Sequence, residues 1–359
     1  MDQMKQFCQE RLTVKFRDVD RPLVAERLRQ ELEAIQVSDQ AGAFEKARKA
    51  VQHLGEQGVS CRLTGAGCSS LISYLMNFSQ IDPTEHGLPY ERFLNANPPG
   101  TIQFKFLAKS QIKRSEEDFT AILNEDSCDL VTFRKETSLA TIPSLLAEEI
   151  RRTDADFNLS SIPLNDKATF ELFRSGDVKG VSQLEGDKIQ KALSDLKPCC
   201  LTDIAAITAV QLGEAHEMGI LNEYIRRGLT PDHQEPEDRL ISEILQETRG
   251  MILFQEQIML IMNRVADIPL AEAYSFIKAV CKRQWEPVAK FREWFVAQLL
   301  GNGEDERHAF RLFETIRDSA TRAVCKSHHL AEALTTYQAA FLKAHFPREF
   351  SRTLQNIQR

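Results

Sequence analysis

Apolar residues recur at helical spacing along much of the chain, and this periodicity sets the first expectations. Val24, Leu28, Leu32 and Ile35 follow at intervals of four, four and three, which places them on one face of a helix that Asp20 can cap. Phe44, Ala47, Val51 and Leu54 form a second stripe, closed by Gly55 and Gly58. Residues 59–63 then read as a short strand, and a turn at Gly65 and Gly67 leads into an apolar helix over 70–78. Asp82-Pro83 breaks the chain. After Pro98-Pro99-Gly100, Ile102, Phe104 and Phe106 alternate with Gln103 and Lys105, the signature of a strand with one apolar and one polar face. Residues 108–128 are charged and show no clear pattern; 129–133 read as another strand and 144–152 as a helix.

From about residue 165 the pattern is almost wholly helical, punctuated at Gly176, Gly180, Pro198, Gly213, 228–236 and 301–303. Three stripes are strongly periodic: Phe254, Ile258, Ile261, Val265; Val288, Phe291, Phe295, Leu299; and Leu330, Leu334, Tyr337, Phe341. These are core stripes rather than base-stacking platforms, and Gln255-Glu256-Gln257 reads as a structural polar element. No internal repeat is visible. The expected class is α+β, predominantly helical.

Composition changes this picture little: 359 residues, 42% hydrophobic and 27% charged, are ordinary values for a globular chain of one to three domains. No apolar run approaches the roughly 18 to 20 residues of a bilayer span, and the polar, charged N-terminus is unlike a secretory signal, so a cytoplasmic location is expected. Eight cysteines (8, 61, 68, 128, 199, 200, 281, 325) include no CxxC pair and read as free cytosolic thiols. The net charge of -7 argues against a surface that binds nucleic acid throughout, because phosphate neutralisation needs clustered cations. From Arg317 to Arg359, however, seven cations stand against three carboxylates.

Two blocks carry a family resemblance, in the family's order. The first spans 58–95, GVSCRLTGAGCSSLISYLMNFSQIDPTEHGLPYERFLN, with its closest agreement at Ile81-Asp82-Pro83 and Glu91-Arg92-Phe93-Leu94-Asn95. The second comprises 162–185, 196–207, 247–259 and, nearest of all, KSHHLAEALTTYQAAFLKAHFPREF over 326–350. Together they resemble the palm and fingers of bacterial DNA polymerase III alpha subunits, the C-family replicative polymerases. The resemblance implies an N-terminal helical segment of the palm (1–57), a reduced palm with a nucleotidyltransferase-like fold (58–158) and a helical fingers-like domain (159–359).

Polymerases of that family are expected to hold two Mg²⁺ ions on palm aspartates, because Mg²⁺ takes hard oxygen ligands. Here the positions that match those aspartates are Thr101, Gln103 and Lys105, on one face of a strand, and Arg134. No catalytic residue, metal ligand or cofactor is therefore expected. Asp126 with Asp129, or Asp154 with Asp156, are close enough in sequence to share a metal, but such pairs are common in solvated loops. The family's glycine-turn arginine and serine give way to Thr64 and Ala66, and its fingers R-P-G-P to Gln211-Leu212-Gly213-Glu214. Only about 22 residues separate Phe106 from Asp129, too few for the thumb the family inserts there, and the family's other N- and C-terminal domains are not seen.

The resemblance leaves Gly65, Ser69, Ser70, Lys282, Arg283, Lys326, His328 and Lys343 as candidate nucleotide- or DNA-binding residues. The plainer alternative is that Lys326, Ser327 and His328 only start a helix. Trp285 and Trp294 stand beside cations, but buried packing is expected of them. Three functions follow in order: a catalytically inactive module binding primer–template DNA or a replication or repair protein; a protein-interaction scaffold without DNA binding; and an active DNA-directed polymerase fragment with relocated ligands.

Overall fold

The computed structural model describes residues 2–94, 102–110, 116–125, 127–184, 186–210, 219–230 and 239–358. The fold is α+β and predominantly helical. Three helices open it: α1 (Asp2–Lys15), α2 (Arg21–Val37) and α3 (Ala41–Glu56). The expected stripes of α2 and α3 are buried except for half-buried Val51. Asp20 does not cap α2 through its side chain; it is turned aside to Arg17 at 2.9 Å, and Pro22 sets the first turn instead.

Strand β1 (Val59–Thr64) runs into a 3₁₀ turn, Gly65–Ser69, and a short helix α4 (Leu71–Leu75). That helix is shorter than the apolar run suggested. The Ser70 side chain accepts from the Ser73 amide to start it, and Asn77, at a φ of 59°, turns the chain out of it. Then come β2 (Phe104–Ser110), α5 (Glu116–Glu125) and β3 (Val131–Lys135). The sheet order is β1-β2-β3, with β2 antiparallel to β1 and parallel to β3. β3 starts two residues later than its apolar pattern suggested, because Asp129 and Leu130 form a turn closed by the Cys128–Val131 bridge.

The aromatic face of the sheet is the centre of the main core. Phe104, Phe106 and Phe133 stack in sequence, with centroids 6.2 and 5.2 Å apart, and Phe44, Phe78 and Phe93 meet them edge-on. Such aromatic contacts add to area burial in fixing which way the strand faces.

The rest is helical: α6 (Ile142–Ile150), α7 (Lys167–Ser175), α8 (Asp187–Leu196), α9 (Leu201–Ala209), α10 (Ile220–Leu229), α11 (Ser242–Leu245), α12 (Gln255–Ala266), α13 (Leu270–Cys281), α14 (Trp285–Gly301), α15 (Glu306–Ala320), α16 (Lys326–His345) and α17 (Pro347–Gln358). Two cores result. The helices between Ile241 and Ala323 enclose one of their own, whereas α16 and the aromatic residue Phe350 of α17 rejoin the sheet, α7 and α9 in the other. The second core thus forms a lobe within the stretch 159–359. All eight cysteines are free thiols, and no helix among the described residues is long and apolar enough to cross a membrane.

Candidate nucleic-acid interface

Period-two alternation fixes what the non-aromatic sheet face carries. Register pairs Thr64 with Lys105 and Lys105 with Thr132, and beyond them it pairs Arg62 with Leu107 and Leu107 with Arg134. Gln103, Lys105 and Arg134 are exposed, and neither cation has an ion-pair partner among the described residues. Thr101 lies outside the described residues, as do Asp126 and Gln211-Leu212-Gly213-Glu214. Asp154 and Asp156 are exposed loop residues, the Asp156 amide donating to the Asp154 carboxylate at 3.2 Å.

Beside the exposed cations lies a locked charge network that sequence reasoning missed. Arg62, 21% exposed at its side chain, pairs with Glu136 just after β3 and with Glu332 of α16 at 3.0 Å. Lys109, further along β2, is buried against Glu148 at 3.4 Å. Burial pushes the Glu136 carboxyl up, against the pull of Arg62. Glu136, Glu332 and Glu148 are thereby paired with protein cations. Among the described residues, the one group of three metal-ligand side chains within 4.8 Å of one another is Cys199, Cys200 and Asp203, in the loop before α9 and its first turn.

The glycine turn is filled from within. Ser69 and Ser70 are fully buried; the Ser69 hydroxyl donates to the Ala66 carbonyl at 2.7 Å and that of Ser70 to Glu31 at 2.8 Å. Glu31, reaching across from α2, also accepts the amides of Leu71 and Ile72 at 2.9 and 3.2 Å and pairs with Arg27 at 2.7 Å. A protein carboxylate already occupies the N-terminus of α4, where an incoming phosphate would otherwise find amide donors. The Gly65 carbonyl accepts from the Ser327 hydroxyl at 3.1 Å, and Thr64 is hydrogen-bonded to His328 at 2.7 Å. Burial holds the His328 imidazole below its usual range, against the nearby Glu332.

The same arrangement closes α16. Glu256 accepts the amides of Lys326 and Ser327 at 2.7 and 3.1 Å, and the Lys326 ammonium is buried between Glu247 at 2.8 Å and the His86 carbonyl at 3.0 Å. The residues flanking Glu256 are structural too. Gln257 caps α12 by accepting the amides of Leu253 and Phe254 at 3.0 Å each, while Gln255 holds Arg92 at 2.8 Å and so ties the two resemblance blocks together. Lys343 is tied to Asp177, through its carboxylate at 2.6 Å and its carbonyl at 2.8 Å. Gly65, Ser69, Ser70, Lys326, His328 and Lys343 are therefore engaged in holding the fold together.

Lys282 and Arg283 are not. They are exposed in the turn after α13, Arg283 at a φ of 55°, and form no ion pair among the described residues. Trp285, which follows them, is 58% exposed, and Trp294 is 41% exposed; the expectation that both rings pack inward is wrong. Val288, Phe295 and Leu299 take the buried face of α14, and the tryptophans fall outside that stripe.

Comparison with known proteins matches the first block and the segments 162–185, 196–207 and 247–259 of the second. Residues 138–303 match the bacterial DNA polymerase III alpha subunit finger domain, and residues 2–100 match the bacterial DNA polymerase III alpha NTPase domain. The DNA polymerase III subunit alpha of Mycobacterium tuberculosis (strain ATCC 25618 / H37Rv) is 37% identical over 200 residues, covering 54% of this chain and 17% of that protein. Its counterpart in Thermus aquaticus is 36% identical over 222 residues, 60% of this chain and 18% of the relative. The Aquifex aeolicus (strain VF5) subunit is 30% identical over 225 residues, 62% and 19%. The matched region is less than a fifth of the length of these relatives.

Proposed function

We propose, for a chain that belongs to the bacterial DNA polymerase III alpha subunit family, a nucleic-acid-binding role that does not include metal-dependent nucleotide transfer. One observation carries this reading. The sheet face that the resemblance assigns to metal-binding carboxylates presents Lys105 and Arg134 instead, with exposed Gln103 just before β2, and Glu136, Glu332 and Glu148 nearby are held by Arg62 and Lys109. A divalent cation is repelled by Lys105 and Arg134, whereas a phosphate is attracted to them. Mg²⁺ would need hard oxygen ligands converging on one point, and the residues on this face do not fit that need.

Lys282, Arg283 and exposed Trp285 supply a second contact of the same chemistry, cations beside a π-face on which a base can stack. Primer–template DNA is the partner class this combination suits. The test pairs a gel-shift titration on primer–template at two salt concentrations with primer extension in Mg²⁺ and in Mn²⁺. The expected result is a complex that weakens as salt rises, without extension. Absence of a shift at low salt would sink the DNA-binding reading; template-directed extension would sink the non-catalytic one.

A protein-interaction scaffold is the second reading. It is favoured by the net charge of -7 and by the engagement of six of the eight candidate residues in internal contacts. It gives no shift on DNA at either salt.

A further inference from the structure

We infer that Cys199, Cys200 and Asp203 form a binding site for a thiophilic divalent cation such as Zn²⁺, separate from the sheet face and independent of the DNA-binding reading. The site is made by the way one helix ends and the next begins. Lys197 takes a left-handed conformation at φ 49° to terminate α8, Pro198 prevents its continuation, and Cys200 at the start of α9 is fully extended at φ -145° and ψ 169°. This turn folds both thiols back over the first turn of α9, where Asp203 is the third residue.

Asp203 then fixes the arrangement. Its carboxylate accepts the Cys199 amide at 2.9 Å and lies 3.5 Å from the Cys199 sulfur. The three ligand atoms are all within 4.8 Å of one another. With Zn–S bonds of about 2.3 Å and a Zn–O bond of about 2.0 to 2.2 Å, a tetrahedral ion needs sulfur–oxygen edges of roughly 3.5 Å. The Cys199–Asp203 edge already has that length.

Donor chemistry decides the kind of ion. Two sulfurs and one carboxylate suit Zn²⁺ or a similarly soft cation and do not suit Mg²⁺. Both cysteines are exposed and Asp203 is half-buried, so the site is accessible and leaves a fourth position for water. A bound cation would favour the thiolates over the thiols, so binding is expected to release the thiol protons.

The experiment uses the reduced full chain and Co²⁺ as a spectroscopic probe, with Zn²⁺ as competitor. Wild type is expected to give thiolate-to-cobalt absorption saturating at one equivalent, displaced by Zn²⁺, and strengthening with pH as protons are released. C199S/C200S should abolish the absorption, and D203N should weaken Co²⁺ binding about tenfold or more. C128S/C281S, which removes two exposed thiols elsewhere, should leave it intact. Circular dichroism on each variant confirms the fold. Absence of thiolate-to-cobalt absorption in wild type, its survival in a folded C199S/C200S variant, or its loss in C128S/C281S overturns the inference.

Discussion

Arg62 of β1 and Glu332 of α16 meet at 3.0 Å, although they are far apart in sequence, and the same guanidinium holds Glu136. This ties the sheet to the helix that carries the closest resemblance block. Removing the cation leaves two poorly exposed carboxylates facing each other without compensation. Arg62→Met is expected to destabilise the chain by about 3 to 5 kcal/mol, read as a lower urea midpoint. Adding Glu332→Gln should recover part of that loss. A double variant no more stable than Arg62→Met would show that the coupling is not electrostatic.

Acid should weaken the fold through half-buried His86 and buried His329. Burial lowers His86 and His329 from the usual 6.5 to about 4, His86 being further opposed by Lys326 and His329 by His328. Between those values the unfolded chain binds protons that the folded chain refuses. Stability is then complete above about pH 6.5 and falls toward pH 4, by on the order of 3 kcal/mol per imidazole at the limit. Glu91 and Glu136, raised by burial, act in the opposite sense, so the informative quantity is the change in slope. His329→Gln should flatten the dependence of urea stability on pH between 6.5 and 4; an unchanged slope contradicts the account.

The two tryptophans allow the helical side of the proposed interface to be tested. With Trp294→Phe as background, binding of single-stranded DNA is expected to quench Trp285 fluorescence. Trp285→Ala should weaken that binding about tenfold, in line with base–aromatic stacking of about 1 to 3 kcal/mol. Unquenched emission during binding would place the strand elsewhere.

Much of the fold was legible because it depends on local periodicity. Phe104 and Phe106 alternate with Lys105 whatever the rest of the chain does, so both faces of β2 could be assigned before its partners were known. Boundaries were less legible. α4 stops early through Asn77, whose left-handed turn leaves no hydrophobic signal, and β2 continues past Phe106 because Lys109 finds Glu148. The site was harder still. Gly65, Ser69 and Ser70 have the composition of a phosphate cradle, but Glu31 and Glu256 fill the adjacent helix ends from distant segments. Nothing in local spacing announces a carboxylate arriving across the fold. Trp285 and Trp294 were misjudged for a related reason: their size favours burial, but the face of α14 that packs is decided by Val288, Phe295 and Leu299.

If the cations on the sheet face meet phosphate in place of metal-binding carboxylates, fluorescence anisotropy on labelled primer–template in EDTA will separate wild type from Lys105→Glu/Arg134→Glu. The expected result is binding without metal, weakened at least about tenfold by the double reversal, with a salt slope shallower by about 0.9 for each phosphate that is no longer neutralised. Binding that requires Mg²⁺, or an affinity and salt slope untouched by the reversal, would contradict it.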